Sequence, residues 1–445
     1  MGKITLILKI IFFSLLLINL LNCLVPETGF DALWYHLTLP KLFLAGKGWY
    51  FSGGLLYYSG MPRLAELLFI PLIKYLGFIG PKLLQFVSGL IISRLIYLHA
   101  KKLKLSNLFS WLALLTFYAS WIVSWQSSSG YVDLIRSVFE YSAILAAMFN
   151  LPAISGILIG LALGIKWQAL VGLCVVLYLT RCKAWPCSFI VFVPWLLLSR
   201  HFTDNPFYPL NESFMIKTQL SQVIPDFYNP VQIFLRFISS PIFLTRPSED
   251  FISPLAGLFV LSSLLCLLSS KKLVRQTGFV ALFGVTALLL TPPPSTRYLL
   301  PYLPFLAVSF AYLGSKLSLR YQKVFLGITI FSAGIILSGR LIVLNRNSEF
   351  LLGRQTINQY LTERKDKLPD TFIDSDNFIK NLPSDANYLI DNLHNLYYFP
   401  YSFDHTSWAD PGKKYDYLVT RGISPKNMPG ILLHTNSIGI QFIKL

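Results

Sequence analysis

The stretch GFDALWYHLTLPKLF, residues 29–43, sets an acid, an imidazole and an ammonium (Asp31, His36 and Lys41) among aromatic and leucine side chains, directly after an apolar run. Asp31 opens a pattern with apolar residues at 30, 33, 34, 37 and 42, the spacing of a helix lying on a membrane surface. Its carboxylate has two uses open to it. It can cap that helix, a common role for Asp, or it can take a proton as a general base. Both hold if the cap falls on Gly29 or Phe30.

A second carboxylate, Asp133, closes the turn QSSSGYVD and opens another apolar segment. Locally it reads as a cap, and spacing alone does not bring it to Asp31. Arg136 and Glu140 lie one turn apart inside that segment and can pair along one face. Charges within a span face a bundle interior or a wet cavity, and the pair reads as structural. Three cations stand at the edges of apolar runs: Arg63 in SGMPRLAELL, Lys166 in GLALGIKWQALVGL and Arg297 in TPPPSTRYLLPYLPF. Singly each can be an anchor that snorkels to headgroups. Together they suit an anionic lipid phosphate entering from the side. No P-loop, dinucleotide fingerprint or HExxH is present, so neither a nucleotide enzyme nor a zinc hydrolase is signalled.

The elements that must hold these residues are membrane-spanning. Of 445 residues, 54% are hydrophobic and 13% charged, against about 25% charged in a soluble domain. Candidate spans cover about 4–24, 82–99, 107–125, 132–149, 152–165, 167–180, 186–200, 252–269, 277–291, 298–314 and 323–343. The net charge of +17 does not point to nucleic acid. Its basic residues cluster in the turns between spans: Lys101, Lys102 and Lys104; Arg181 and Lys183; Lys271, Lys272 and Arg275; Lys316, Arg320 and Lys323. That is the bias that keeps short loops cytoplasmic. All these clusters fall inside if residues 61–77, with Arg63, Glu66 and Lys74, form an interfacial helix rather than a span. The expected fold is therefore an all-α polytopic membrane bundle of about 11 transmembrane helices, with interfacial helices in the first outer loop. Its N-terminus is cytoplasmic and its C-terminus extracytoplasmic, in a plasma (inner) membrane.

Four pieces then face outward: the loop from Val25 to about Pro81, the turn holding Asp133, the loop 201–251 with DNPFYPLNESF, and the tail. The five cysteines (Cys23, Cys174, Cys182, Cys187 and Cys266) lie in or beside apolar runs and suggest neither a disulfide framework nor a zinc site. No small-residue cleavage site precedes Pro26, so the first apolar run reads as an uncleaved span. The organisation is a transmembrane domain over 1–348 and a small extracytoplasmic α/β domain over 349–445. In the latter, 354–367 reads as helix, and ANYLIDNL, YDYLVT and IGIQFIKL read as strands. No internal repeat or paired broken segments of the transporter kind appear.

These landmarks resemble the GT-C glycosyltransferases, multi-spanning enzymes that use polyprenyl-phosphate sugars. The likeness is to the bacterial relatives of protein O-mannosyltransferases and lipid A aminoarabinose transferases. FDALWYHLTLPKLF is similar to the first-loop motif of that group, and SGMPRLAELL, GLALGIKW, NPFYPL and LPSDANYLI are similar to later landmarks. The resemblance implies a glycosyltransferase acting on the extracytoplasmic face with inversion. Its donor would be a polyprenyl-phosphate sugar, and its acceptor a lipid, glycan or protein. It implies Asp31 as catalytic base, Asp133 as the second-loop acid and His36 in support. It also implies Arg63, Lys166, Arg297 and Lys41 near the lipid phosphate. Many members carry adjacent acids in the first loop where this chain has Phe30-Asp31, so no metal and no other cofactor is expected. A lipid or sugar transporter, or an oligosaccharide or polymer ligase of the same fold, are the alternatives.

Overall fold

A computed structural model describes residues 2–52, 54–209, 227–246, 251–291, 294–422 and 429–445. Much of the expected third outer loop, including the end of DNPFYPLNESF from Leu210, lies outside the described residues. The chain begins with helix α1 (Gly2–Cys23). The following loop holds a five-residue π-turn (Ala32–His36), α2 (Thr38–Leu44) and α3 (Leu64–Leu76). Then come α4 (Ile79–Lys102), α5 (Asn107–Tyr118), α6 (Trp121–Gln126), α7 (Asp133–Met148) and α8 (Pro152–Ile165). These are followed by α9 (Leu170–Thr180), α10 (Trp185–Thr203) and α11 (Pro230–Phe243). The last long helices are α12 (Ala256–Leu267), α13 (Lys272–Leu290), α14 (Leu303–Lys316) and α15 (Leu319–Arg346).

Every apolar segment anticipated as a span carries helix, although 107–125 breaks at Ala119–Ser120 into α5 and α6. Among the described residues, four helices, α1, α4, α13 and α15, are long and apolar enough to cross a membrane by length and composition alone. The pattern did not anticipate α11. It has exposed Val231, Phe234, Leu235, Ile238 and Ile242 along one face, and it lies in what reads from sequence as a long loop.

Contacts divide the chain into two compact units, residues 1–22, 83–128 and 132–345 in one, and 23–82, 129–131 and 346–445 in the other. In the first, α8 is the element that positions chemistry. Gly156, Gly160 and Gly164 recur every four residues along one face, and a Cβ at any of them would collide with Ala184, Val191 or Trp195 of the α10 region. Such small-residue faces let helices approach backbone to backbone within a membrane. The opposite neighbour is α7, where Ser155 Oγ donates to the Ala143 carbonyl at 2.7 Å. Held on both sides, α8 ends rigidly at Lys166, whose backbone is extended (φ −158°, ψ 137°).

The second unit contains a five-stranded sheet in the order β2-β1-β3-β5-β4. Its strands are β1 (Tyr388–Ile390), β2 (Phe403–His405), β3 (Tyr417–Arg421), β4 (Ile431–Thr435) and β5 (Ile440–Lys444). Strands β2, β1 and β3 are parallel; β3, β5 and β4 are antiparallel. Strands β1 and β5 lie within segments read as strands, and β3 overlaps YDYLVT and runs one residue past it to Arg421; β2 and β4 are additional. Within this unit the tail runs from Arg346 to Leu445, and it does not build its core alone. Tyr35, Leu39, Leu42, Phe51, Leu55 and Leu56 of the first loop bury with Phe372, Ile379, Tyr388, Leu393, Phe399, Val419 and Phe442 in one cluster. A tail of under about 100 residues buries too little surface to stand comfortably by itself, and the loop supplies the missing apolar area.

Candidate functional site

In the first unit the cations converge on a carboxylate. Asp133 starts α7 and is fully buried, and Lys166 Nζ donates to its Oδ1 at 3.0 Å. Its Oδ2 accepts from Gln126 Nε2 at 3.4 Å, and Gln85 donates in turn to Gln126 Oε1 at 3.2 Å. Gln85 Oε1 accepts from the Ile135 N–H, which fixes the first turn of α7. The charges of Lys166, Arg297 and Arg136 all act on Asp133. One turn further along α7, Arg136 Nη2 donates to the Arg297 carbonyl at 3.3 Å, and Tyr302 donates to Glu140 Oε1 at 2.6 Å. Arg136 Nε and Glu140 Oε2 stand 3.8 Å apart.

Asp133, Lys166 and Arg297 are therefore one cluster rather than separate caps and anchors. Lys166 keeps 16% of its side chain exposed, and Arg297, at the start of the 3-10 turn Thr296–Leu299, is half-buried. Beside Lys166 in the chain, Leu163, Trp167, Leu170 and Leu173 line an apolar cavity of about 200 Å3 with Phe192 and Phe207.

In the second unit, Asp31 is half-buried in α-helical backbone (φ −60°, ψ −34°) and makes no side-chain capping bond. The N-cap reading of Asp31 is thus not the geometry found. Its charge reaches Tyr57, whose phenol is raised chiefly by burial, with Asp31 adding to the shift. The π-turn that follows inserts one residue into the winding, with the Leu37 N–H bonded to the Ala32 carbonyl at 2.9 Å. Single π-turns occur frequently at functional sites.

This turn carries His36 inward, to 1% exposure. Its Nδ1 and Glu66 Oε1 share a hydrogen bond across 2.5 Å. His36 therefore does not serve a backbone carbonyl through Nδ1. Among the described residues, His36 Nε2, Glu66 Oε2 and Arg63 Nε are all buried without a hydrogen-bond partner, and each such group costs about 1–3 kcal/mol. Arg63 is 4% exposed, with its guanidinium 4.3 Å from the Trp49 ring centroid. Burial works against its charge and Glu66 favours it. Lys41 donates to the Tyr397 carbonyl at 2.7 Å and to that of Phe399, fastening the first loop to the tail. Burial pushes its ammonium down to about 7.

Glu27 was not singled out from the sequence, yet it organises the loop. Its Oε1 accepts from the Thr28 and Gly29 N–H groups at 2.9 and 2.7 Å, and its Oε2 from Gly130 N–H. Gly29 must be glycine here, because a Cβ would enter the Tyr131 ring. Glu66, Gln85 and Gln126 were likewise passed over. Their common signal is a polar side chain inside an otherwise apolar stretch. Among the described residues, no three His, Cys, Asp or Glu side chains are grouped so as to hold a metal ion.

Apolar helices carrying buried ionic pairs, with a small α/β tail that shares its core with the first loop, give the chain a polytopic membrane fold that solved structures share. The particular likeness is to ArnT from Cupriavidus metallidurans. The crystal structure of that protein bound to undecaprenyl phosphate matches with a TM-score of 0.62 at 13% identity, covering 99% of this chain and 98% of that one. Its apo crystal structure matches with the same score and identity, over 99% and 97%. No family model matches the chain, and no curated protein does.

Proposed function

We propose that the chain is a membrane glycosyltransferase that moves a sugar from a polyprenyl-phosphate donor to an acceptor on the extracytoplasmic face, inverting the anomeric centre. The observation that carries this reading is the convergence of Lys166 and Arg297 on Asp133 beside an apolar cavity. A polyprenyl phosphate needs both: fixed positive charge for the phosphate and an apolar wall for the chain. The acceptor hydroxyl or amine gives its proton to Asp31 as its lone pair forms the new bond to the anomeric carbon. The bond from that carbon to the phosphate oxygen breaks, and its electron pair leaves on the lipid phosphate. Preorganised cations stabilise that developing charge best where water is excluded. Asp133 holds Lys166 in place for this task.

The direct test is release of lipid phosphate from radiolabelled undecaprenyl-phosphate pentoses and hexoses by the purified protein, with and without EDTA. Equal turnover in both is expected. Sugar that crosses a proteoliposome membrane without release of lipid phosphate would establish transport instead. Arg297→Lys should reduce donor use about tenfold to a hundredfold, since a point charge replaces a planar fork and one charge-assisted bond is worth roughly 1.5–3 kcal/mol. A donor KM and kcat both at the wild-type value in that variant would remove Arg297 from the phosphate site.

Eleven spans, with α3 in the interface, give a cytoplasmic N-terminus and an extracytoplasmic tail. Every basic cluster then falls on the inner side. A reporter active only in the cytoplasm should work when fused after Lys102 and fail after Gly353. Activity at both points excludes this topology.

A further inference from the structure

We propose that Glu66 is a positioning residue of the transfer site. It holds His36 so that the imidazole takes the proton from Asp31 and returns that carboxylate to its basic form. The inference rests on the glycosyltransferase reading with Asp31 as base. It concerns a pair, His36 and Glu66, 30 positions apart in the chain and both more than nine-tenths buried.

Three features point past a structural bond. First, Nδ1 of His36 is engaged by Glu66 Oε1 at 2.5 Å; with the carboxylate accepting from Nδ1–H, the tautomer that the proposed step uses carries its lone pair on Nε2. Second, among the described residues Nε2 has no partner, and neither does Glu66 Oε2 nor the neighbouring Arg63 Nε. A bond present only to stabilise the loop has no reason to leave three buried polar atoms unmatched, because buried polar groups are ordinarily satisfied. Third, His36 is the last residue of the π-turn and Asp31 immediately precedes it. The i→i+5 winding brings positions five apart toward the same side of the turn.

The protons balance. Asp31 holds the proton lost by the acceptor; His36 Nε2 receives it, giving a carboxylate and an imidazolium. Glu66 compensates the imidazolium charge until the proton passes to water. No oxidant, reductant or further reactant is needed.

The test uses the full-length protein in detergent, with radiolabelled undecaprenyl-phosphate pentoses and hexoses as donors. Glu66→Gln keeps the shape of the side chain but loses its charge. It should lower kcat about tenfold to a hundredfold while donor KM stays within about twofold. His36→Gln should do the same, which covers the case in which one variant fails to fold. Imidazole in the buffer should partly restore His36→Ala. Neither Glu66→Gln nor His36→Gln should lower the rate further in an Asp31→Asn background, because both act through that carboxylate. A folded Glu66→Gln protein with kcat within about threefold of wild type overturns the inference. So does a loss that adds in full to that of Asp31→Asn. A wild-type protein that releases no lipid phosphate overturns the underlying reading as well, so the two failures look different.

Discussion

Asp31→Asn should leave a folded, membrane-inserted protein whose turnover is lower by about two to four orders of magnitude, the usual contribution of a positioned proton acceptor. The amide preserves the shape of the carboxylate and removes its basicity. Sequence alone left a cap as the competing explanation, under which Asn is nearly silent and Ala costs roughly 0.5–2 kcal/mol. The backbone at Asp31 is already helical, and its side chain makes no capping bond. Asn and Ala should therefore both show a large loss of transfer, and Asn little loss of expression. The measurement is lipid phosphate release by both variants beside their thermal stability in detergent. Near-normal transfer by Asp31→Asn would take Asp31 out of the mechanism and make the His36–Glu66 pair irrelevant to it.

What the sequence made legible was governed by periodicity and charge placement. Apolar runs gave the helices, and the alternation of basic turns gave an orientation to test. Tertiary partners were not legible. Nothing local says that Glu66, in a helix that reads as lying on the membrane surface, turns its carboxylate inward to His36. The π-turn is the reason: one extra residue in the winding redirects His36, and no propensity marks such an insertion. Lys41 read as a cation beside a phosphate, and its ammonium is bonded to the carbonyls of Tyr397 and Phe399, more than 350 residues away. Glu27 was hidden for a similar reason, since its partners are backbone N–H groups that leave no trace in composition. One signal was readable and was missed. Gly156, Gly160 and Gly164 repeat every four residues, and that spacing alone announces a close helix contact ending at Lys166.

Lys166 tests whether the cation cluster is structural, functional or both. Lys166→Met removes the partner of a carboxylate with no exposure to water. Losing the whole partner of a buried ion pair costs about 3–5 kcal/mol; the cost here is lower, because Asp133 loses its hydrogen-bonded ammonium and is left a stranded charge that Arg297 and Arg136 offset in part. The variant should show a markedly lower melting temperature in detergent, and transfer should be lost with it. Adding Asp133→Asn removes the stranded charge, and a neutral pair of similar volume is often no less stable than the ions it replaces. The double variant should therefore regain most of its stability. Its activity should not follow, since the phosphate still lacks an ammonium whose charge-assisted bond is worth roughly 1.5–3 kcal/mol. Stability and donor use separate in that one protein: stability returns, while donor use stays about ten- to a hundredfold down. Were both to return together, Lys166 would exist only to neutralise Asp133, and Arg297 would be left to meet the phosphate. Were neither to return, the rest of the cluster, through Gln126 and Gln85, would require a charged carboxylate at position 133 to hold the first turn of α7 in place.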